Sequence, residues 1–105
     1  MTESRSIFKD DNCTKGRFLD KNGKPLNGVR ITEDKRTILR FRDGYLDGDI
    51  YSMDGRLITV KPAVEKEGHI EFWRQNKLHR QDGEPAVISE GFAVKEWWEN
   101  GIRIR

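Results

Sequence analysis

The chain has 105 residues, enough for one domain and too few for two with separate cores. Charged residues reach 36% and the apolar set only 34%, with a mean hydropathy of -0.85, yet ten aromatics among β-branched residues exclude a disordered polymer and indicate a small domain with a shallow core. A formal charge of +2 is far from the footprint of an obligate duplex binder, and no apolar run approaches the roughly 18–20 residues of a membrane helix.

The start of the chain is polar and lacks the apolar stretch of a secretion signal, and Cys13 is the only cysteine. An internal disulfide is therefore excluded, and the expected compartment is the cytoplasm. A flexible segment is expected over residues 1–14, followed by a single β-repeat domain over 15–105. Within it, the alternation of side chains predicts strands at Gly16–Asp20, Val29–Glu33, Thr37–Arg42, Asp49–Met53, Leu57–Lys61, His69–Arg74, Lys77–Arg80, Phe92–Trp98 and Ile102–Arg105. Thr37, Leu39 and Phe41 share one face of their strand, and Ile38, Arg40 and Arg42 the other. Near the C-terminus, Phe92, Val94 and Trp98 share a face with Glu96, opposite Ala93, Lys95 and Trp97. The turns between these segments are marked by glycine. Seven of the ten glycines follow Asn or Asp, at Gly23, Gly28, Gly44, Gly48, Gly55, Gly83 and Gly101, the pairing that suits tight hairpins. No stretch carries helical periodicity.

An internal repeat runs through the second half. Pro62-Ala63-Val64-Glu65-Lys66-Glu67-Gly68 matches Pro85-Ala86-Val87-Ile88-Ser89-Glu90-Gly91, and, after a two-residue offset, Glu71-Phe72-Trp73 matches Glu96-Trp97-Trp98. Such a unit cannot bury its own apolar face and must stack on its neighbours. Weaker copies are Gly16-Arg17-Phe18-Leu19 through Asn27-Gly28, and Gly44-Tyr45-Leu46-Asp47-Gly48 through Gly55-Arg56-Leu57. The pattern resembles the MORN repeat in its divergent bacterial and phage form, through those aromatic and Asn/Asp-Gly-x-Leu-x-Gly units and through His79-Arg80-Gln81-Asp82-Gly83-Glu84-Pro85-Ala86 followed by Glu96-Trp97-Trp98-Glu99-Asn100-Gly101. It departs from the family where Glu84 is inserted and where Pro62-Ala63 lacks a preceding Asp-Gly. The resemblance implies an antiparallel β-hairpin meander, as a single curved sheet or a small open barrel, and a role as an interaction scaffold of the kind seen in antitoxin-like members.

The chemistry-bearing residues support binding rather than catalysis. His69 and His79 lack further ligands at metal spacing, the aspartates 43, 47, 49 and 54 do not fit a calcium loop, and the serines lack a nucleophile context, so no enzyme, metal or cofactor is expected. Two aromatic ladders, Phe72 with Trp97 and Trp73 with Trp98, should face opposite ways, Trp98 into the core and Trp97 outward. The expected partner surface is Phe72, Trp97, Arg40, Arg42, Tyr45 and Lys95. The expected function is a non-enzymatic protein-binding module of antitoxin, immunity or inhibitor type. The alternative is a single-stranded nucleic-acid binder that stacks bases on aromatics beside Arg40 and Arg42. A monomer and an edge-paired homodimer both fit an open sheet.

Overall fold

A computed structural model describes residues 17–105, and these are all β, with short strands and no helix. The expected N-terminal segment over residues 1–14, with Cys13, lies outside the described residues. In chain order the strands are β1 (Gly28–Ile31), β2 (Ile38–Arg42), β3 (Tyr45–Leu46), β4 (Asp49–Tyr51), β5 (Leu57–Val60), β6 (Val64–Lys66), β7 (His69–Glu71), β8 (Trp73–Arg74), β9 (Lys77–Leu78), β10 (Val87–Ser89), β11 (Val94–Glu96), β12 (Trp98–Glu99) and β13 (Ile102–Arg103). The main sheet runs β1-β2-β6-β7-β10-β11, antiparallel throughout, with β3 added to β2. Among the described residues it ends at β1 and β11 without closing, so the sheet is antiparallel, open and curved. Three hairpins, β4–β5, β8–β9 and β12–β13, stand apart from it.

Tight turns join the hairpin arms. Asp43-Gly44 and Asn100-Gly101 take positive φ at both positions, 52° and 83° in the first and 51° and 79° in the second, which matches the twist of the flanking strands. Gln75-Asn76 does the same at 48° and 64° with no glycine. That turn is held from outside. The Asn76 side-chain oxygen accepts the Leu46 N–H at 2.7 Å while the Asn76 N–H donates to the Leu46 carbonyl at 3.0 Å.

The internal repeat is structural. The long arms break at matching points: β7 passes through Phe72 into β8, and β11 passes through Trp97 into β12. Beyond each break a tryptophan folds back over the main sheet. The Trp73 indole donates to Glu71 at 2.8 Å and the Trp98 indole to Glu96 at 2.9 Å, both carboxylates being buried. The hairpins then stack through backbone bonds, Gly48 N–H to Trp73 O and Asn76 N–H to Leu46 O on one side, Arg80 N–H to Trp98 O and Gly101 N–H to Leu78 O on the other. The two-residue offset in the repeat also has a location: β6 and β7 close between Lys66 and His69, whereas β10 and β11 close between Ser89 and Val94, a loop two residues longer.

The core is one cluster of Phe41, Leu46, Ala63, Val64, Trp73, Leu78, Ala86, Val87 and Trp98, with Phe18, Leu26 and Leu39 against it. Several expected elements differ. Of Gly16–Asp20, the described part holds only a bridge between Leu19 and Pro25. Phe92 does not share the core face with Val94 and Trp98, because it sits in the longer loop with φ at 74° and is 57% exposed. β6 and β10 are strands that the alternation did not mark.

Candidate functional site

The cross-strand register sorts the main sheet into two faces, since directly paired residues share a side. One row runs Leu39, Val64, Glu71, Val87, Glu96 and looks into the core. The other runs Ile31, Ile38, Glu65, Ile70, Ile88, Lys95 across six strands, with Val29 and Arg40 beside it. Ile38, Ile70 and Ile88 are half-buried and lie outside the core cluster. Val29 and Ile31, on the edge strand β1, are 53% and 61% exposed. This outer face is a band of isoleucine and valine crossed by the ion pair of Arg40 with Glu65.

The outer face runs into a hollow of about 360 Å³ lined by Val29, Arg40, Arg42, Ile50 and Lys61, with Asp47 and Asp49 at its floor. Asp47 is buried, and burial pushes its carboxyl above the usual 3.8, although it accepts the Asp49 N–H at 2.9 Å and the Gln75 N–H at 3.3 Å. Asp49 holds the Arg74 guanidinium and accepts from the Tyr51 hydroxyl at 3.3 Å.

The register brings Arg40, Arg42 and Lys95 onto this side of the sheet, with Tyr45 paired to Arg42 at its end, and sets Phe72 and Trp97 elsewhere. Arg40 also donates to the Pro62 carbonyl at 2.8 Å. Arg42 donates to the Asp49 carbonyl and lies 4.3 Å over the Tyr51 ring. Tyr45 is half-buried beneath the Arg17 guanidinium, 5.5 Å from its ring centre. Phe72 does not form part of an exposed ladder. It is 4% exposed and capped by Arg80 at 3.9 Å, at the break between β7 and β8. Trp97 is half-buried, its indole donating to Gly83 O at 3.0 Å and covered by Arg105 at 4.9 Å. The isoleucine row escaped the sequence because it is assembled from four separate hairpin arms; in the repeat Ile70 corresponds to Lys95 and Ile88 to Glu65, so only the register sets the two isoleucines side by side.

The histidines serve the fold. His69 is buried between Ser89 at 2.8 Å and Glu71 at 2.6 Å. His79 accepts the Asn100 N–H on Nδ1 at 3.0 Å, with its Nε2 toward Arg74 and Gln81. Burial, then the Arg74 charge, holds its pKa below 6.5. Among the described residues, no three His, Cys, Asp or Glu side chains are placed to hold a metal ion, and no helix is long and apolar enough to cross a membrane. Comparison with family models, curated proteins and solved structures gives no match.

Proposed function

We propose that the chain is a non-enzymatic protein-binding module of antitoxin, immunity or inhibitor type, bacterial or phage and cytoplasmic, built from divergent MORN-like repeats. The observation that carries this reading is the outer sheet face, where Ile31, Ile38, Ile70 and Ile88 stand in register and none belongs to the core cluster. An apolar band on the outer face of a small domain marks an association surface, and the lysines beside it, Lys61 and Lys95, favour a partner surface that mixes aliphatic and acidic residues. The lone cysteine supports the cytoplasmic assignment.

The engagement of Arg40 and Arg42 with protein acceptors favours a protein partner over a single strand of nucleic acid, since those guanidiniums would have to leave Glu65 and Asp49 to meet phosphates. The test is capture from bacterial lysate by the wild type and by an Ile70→Lys/Ile88→Lys variant. Wild type recovers a stoichiometric protein, and the variant loses it while keeping its stability within about 1 kcal/mol per site. Equal recovery by both proteins, or recovery of nucleic acid alone, overturns the reading.

A further inference from the structure

A second recess lies away from the outer face, a cleft of about 250 Å³ between β5 and the segment from His79 to Glu84. All four residues of β5, Leu57, Ile58, Thr59 and Val60, line it. A strand contributes alternate residues to a recess on its face and consecutive ones to a recess along its edge, so the cleft runs along the edge of β5 that does not meet β4. The hydrogen bonding agrees. Lys61 N–H donates to Gly48 O and Thr59 is paired with Ile50, which directs the main-chain groups of Thr59 and Lys61 toward β4 and those of Val60 between them into the cleft, while Ile58 sits at a β-bulge opposite Ile50 and Tyr51. Among the described residues, none of the turn and inter-hairpin bonds uses Val60.

The opposite wall fixes the charge. Arg74 is tied to Asp49 and reaches toward Gln81, and Arg80 covers Phe72 while donating to the Pro85 carbonyl at 3.2 Å. The two cations are thus engaged within the fold. Asp82 and Glu84 are exposed at the rim, and neither carboxylate is bonded or ion-paired among the described residues. Ile58, 63% exposed, adds an aliphatic surface beside them.

We propose that this cleft takes an extended segment of a partner protein as an added strand on β5, with a lysine or arginine set against Asp82 and Glu84 and an aliphatic side chain on Ile58. Main-chain bonds to Val60 and the aliphatic contact on Ile58 supply affinity, and the two carboxylates select a basic segment over an acidic one. The slot is separate from the outer sheet face, so its failure leaves the function proposed above untouched.

The probes are three eight-residue peptides: one alternating lysine with valine, one alternating glutamate with valine, and the lysine peptide N-methylated at every second residue. Binding is followed by amide chemical shifts and exchange in the full chain. The lysine peptide shifts the Val60 amide and slows its exchange, and it binds at least about tenfold more tightly than the glutamate peptide. N-methylation on the pairing edge abolishes the effect. An Asp82→Lys/Glu84→Lys variant, altered only at exposed positions, melts as the wild type does and reverses the preference. Absence of binding by every peptide overturns the proposal. So does equal binding of lysine and glutamate peptides, undiminished binding after N-methylation, or shifts that map to Ile70 and Ile88 instead.

Discussion

At the scale of single residues, Trp97 and Trp98 separate packing from surface. Trp98 is 4% exposed, belongs to the core cluster and donates to buried Glu96, so Trp98→Ala leaves both a cavity and an acceptor without its indole. The cost is about 3–5 kcal/mol, a large share of what a thin domain has. Trp97 is half-buried and held by one bond to Gly83 O and by Arg105, so Trp97→Ala costs about 1–2 kcal/mol, and the two variants separate in chemical denaturation. His79 gives a pH signal. Its folded pKa lies below 6.5 through burial and Arg74, with Asp49 and Glu99 pulling the other way. As pH falls below 6.5 the unfolded chain takes up the proton first, so stability drops until pH passes the folded pKa and then levels. Asp47, pushed up by burial, acts in the opposite sense at the acid end, since there the folded chain protonates first. In His79→Asn the amide oxygen can accept the Asn100 N–H as Asn76 accepts that of Leu46, so the variant folds and loses the fall in melting temperature just below pH 6.5. A wild-type profile that is flat through that window contradicts this assignment.

At the scale of elements, two glycines of the β4–β5 region are fixed by different physics. A side chain at Gly48 would place its Cβ 1.8 Å from the Lys61 carbonyl oxygen, in backbone that cannot yield without separating the start of β4 from the end of β5. Gly55 has open space around it and only a φ of 86° to defend. Gly48→Ala therefore destabilises by about 3 kcal/mol or more, and Gly55→Ala by about 1–2 kcal/mol, measured as the shift in denaturation midpoint. Both positions read alike in the sequence, as Asp-Gly pairs, because sequence reports that a turn is favoured and not that a carbonyl lies against the backbone. The same limit governs the strands. β2 was legible with its facing, Phe41 and Leu39 inward and Arg40 outward, because five residues of alternation suffice. β6 and β10 were not, since each follows a proline, spans three residues and carries charged or polar side chains among its apolar ones. The kinks at Phe72 and Trp97 were hidden for the converse reason. Alternation continues unbroken through them in the sequence, while the chain leaves one sheet and enters a hairpin, and this buries Phe72 where a straight strand would have left its ladder open. Arg40 and Lys95 were legible as outward-facing, but that they share a face with Ile70 and Ile88 is a fact of register across strands far apart in the chain.

At the scale of the whole molecule, the repeats share one core instead of each owning a layer. The buried cluster is continuous from Phe41 to Trp98, and the hairpins are tied in series, Gly48 to Trp73, then Arg80 to Trp98. In a repeat array whose units carry their own stability, removing a terminal unit subtracts one increment and leaves the rest folded. Here deletion of residues 92–105 removes Trp98 and Glu96 from the core, strips β10 of β11, and deprives Arg80 N–H and Leu78 O of their partners in the last hairpin. The loss of Trp98 alone costs about 3–5 kcal/mol, and a domain of this size holds about 5–15 kcal/mol in total. Orphaned backbone groups at Leu78 and Arg80 add about 1–3 kcal/mol each where they stay buried. The truncated chain is therefore expected to lose its cooperative transition, with Trp73 fluorescence moving to the solvent-exposed wavelength, while the full chain unfolds in a single step seen alike by fluorescence and by far-ultraviolet dichroism. A truncated chain that keeps a sharp transition at a lower midpoint, with Trp73 still shielded, would show that the repeats behave as separable units and that the Trp73 hairpin closes its own core.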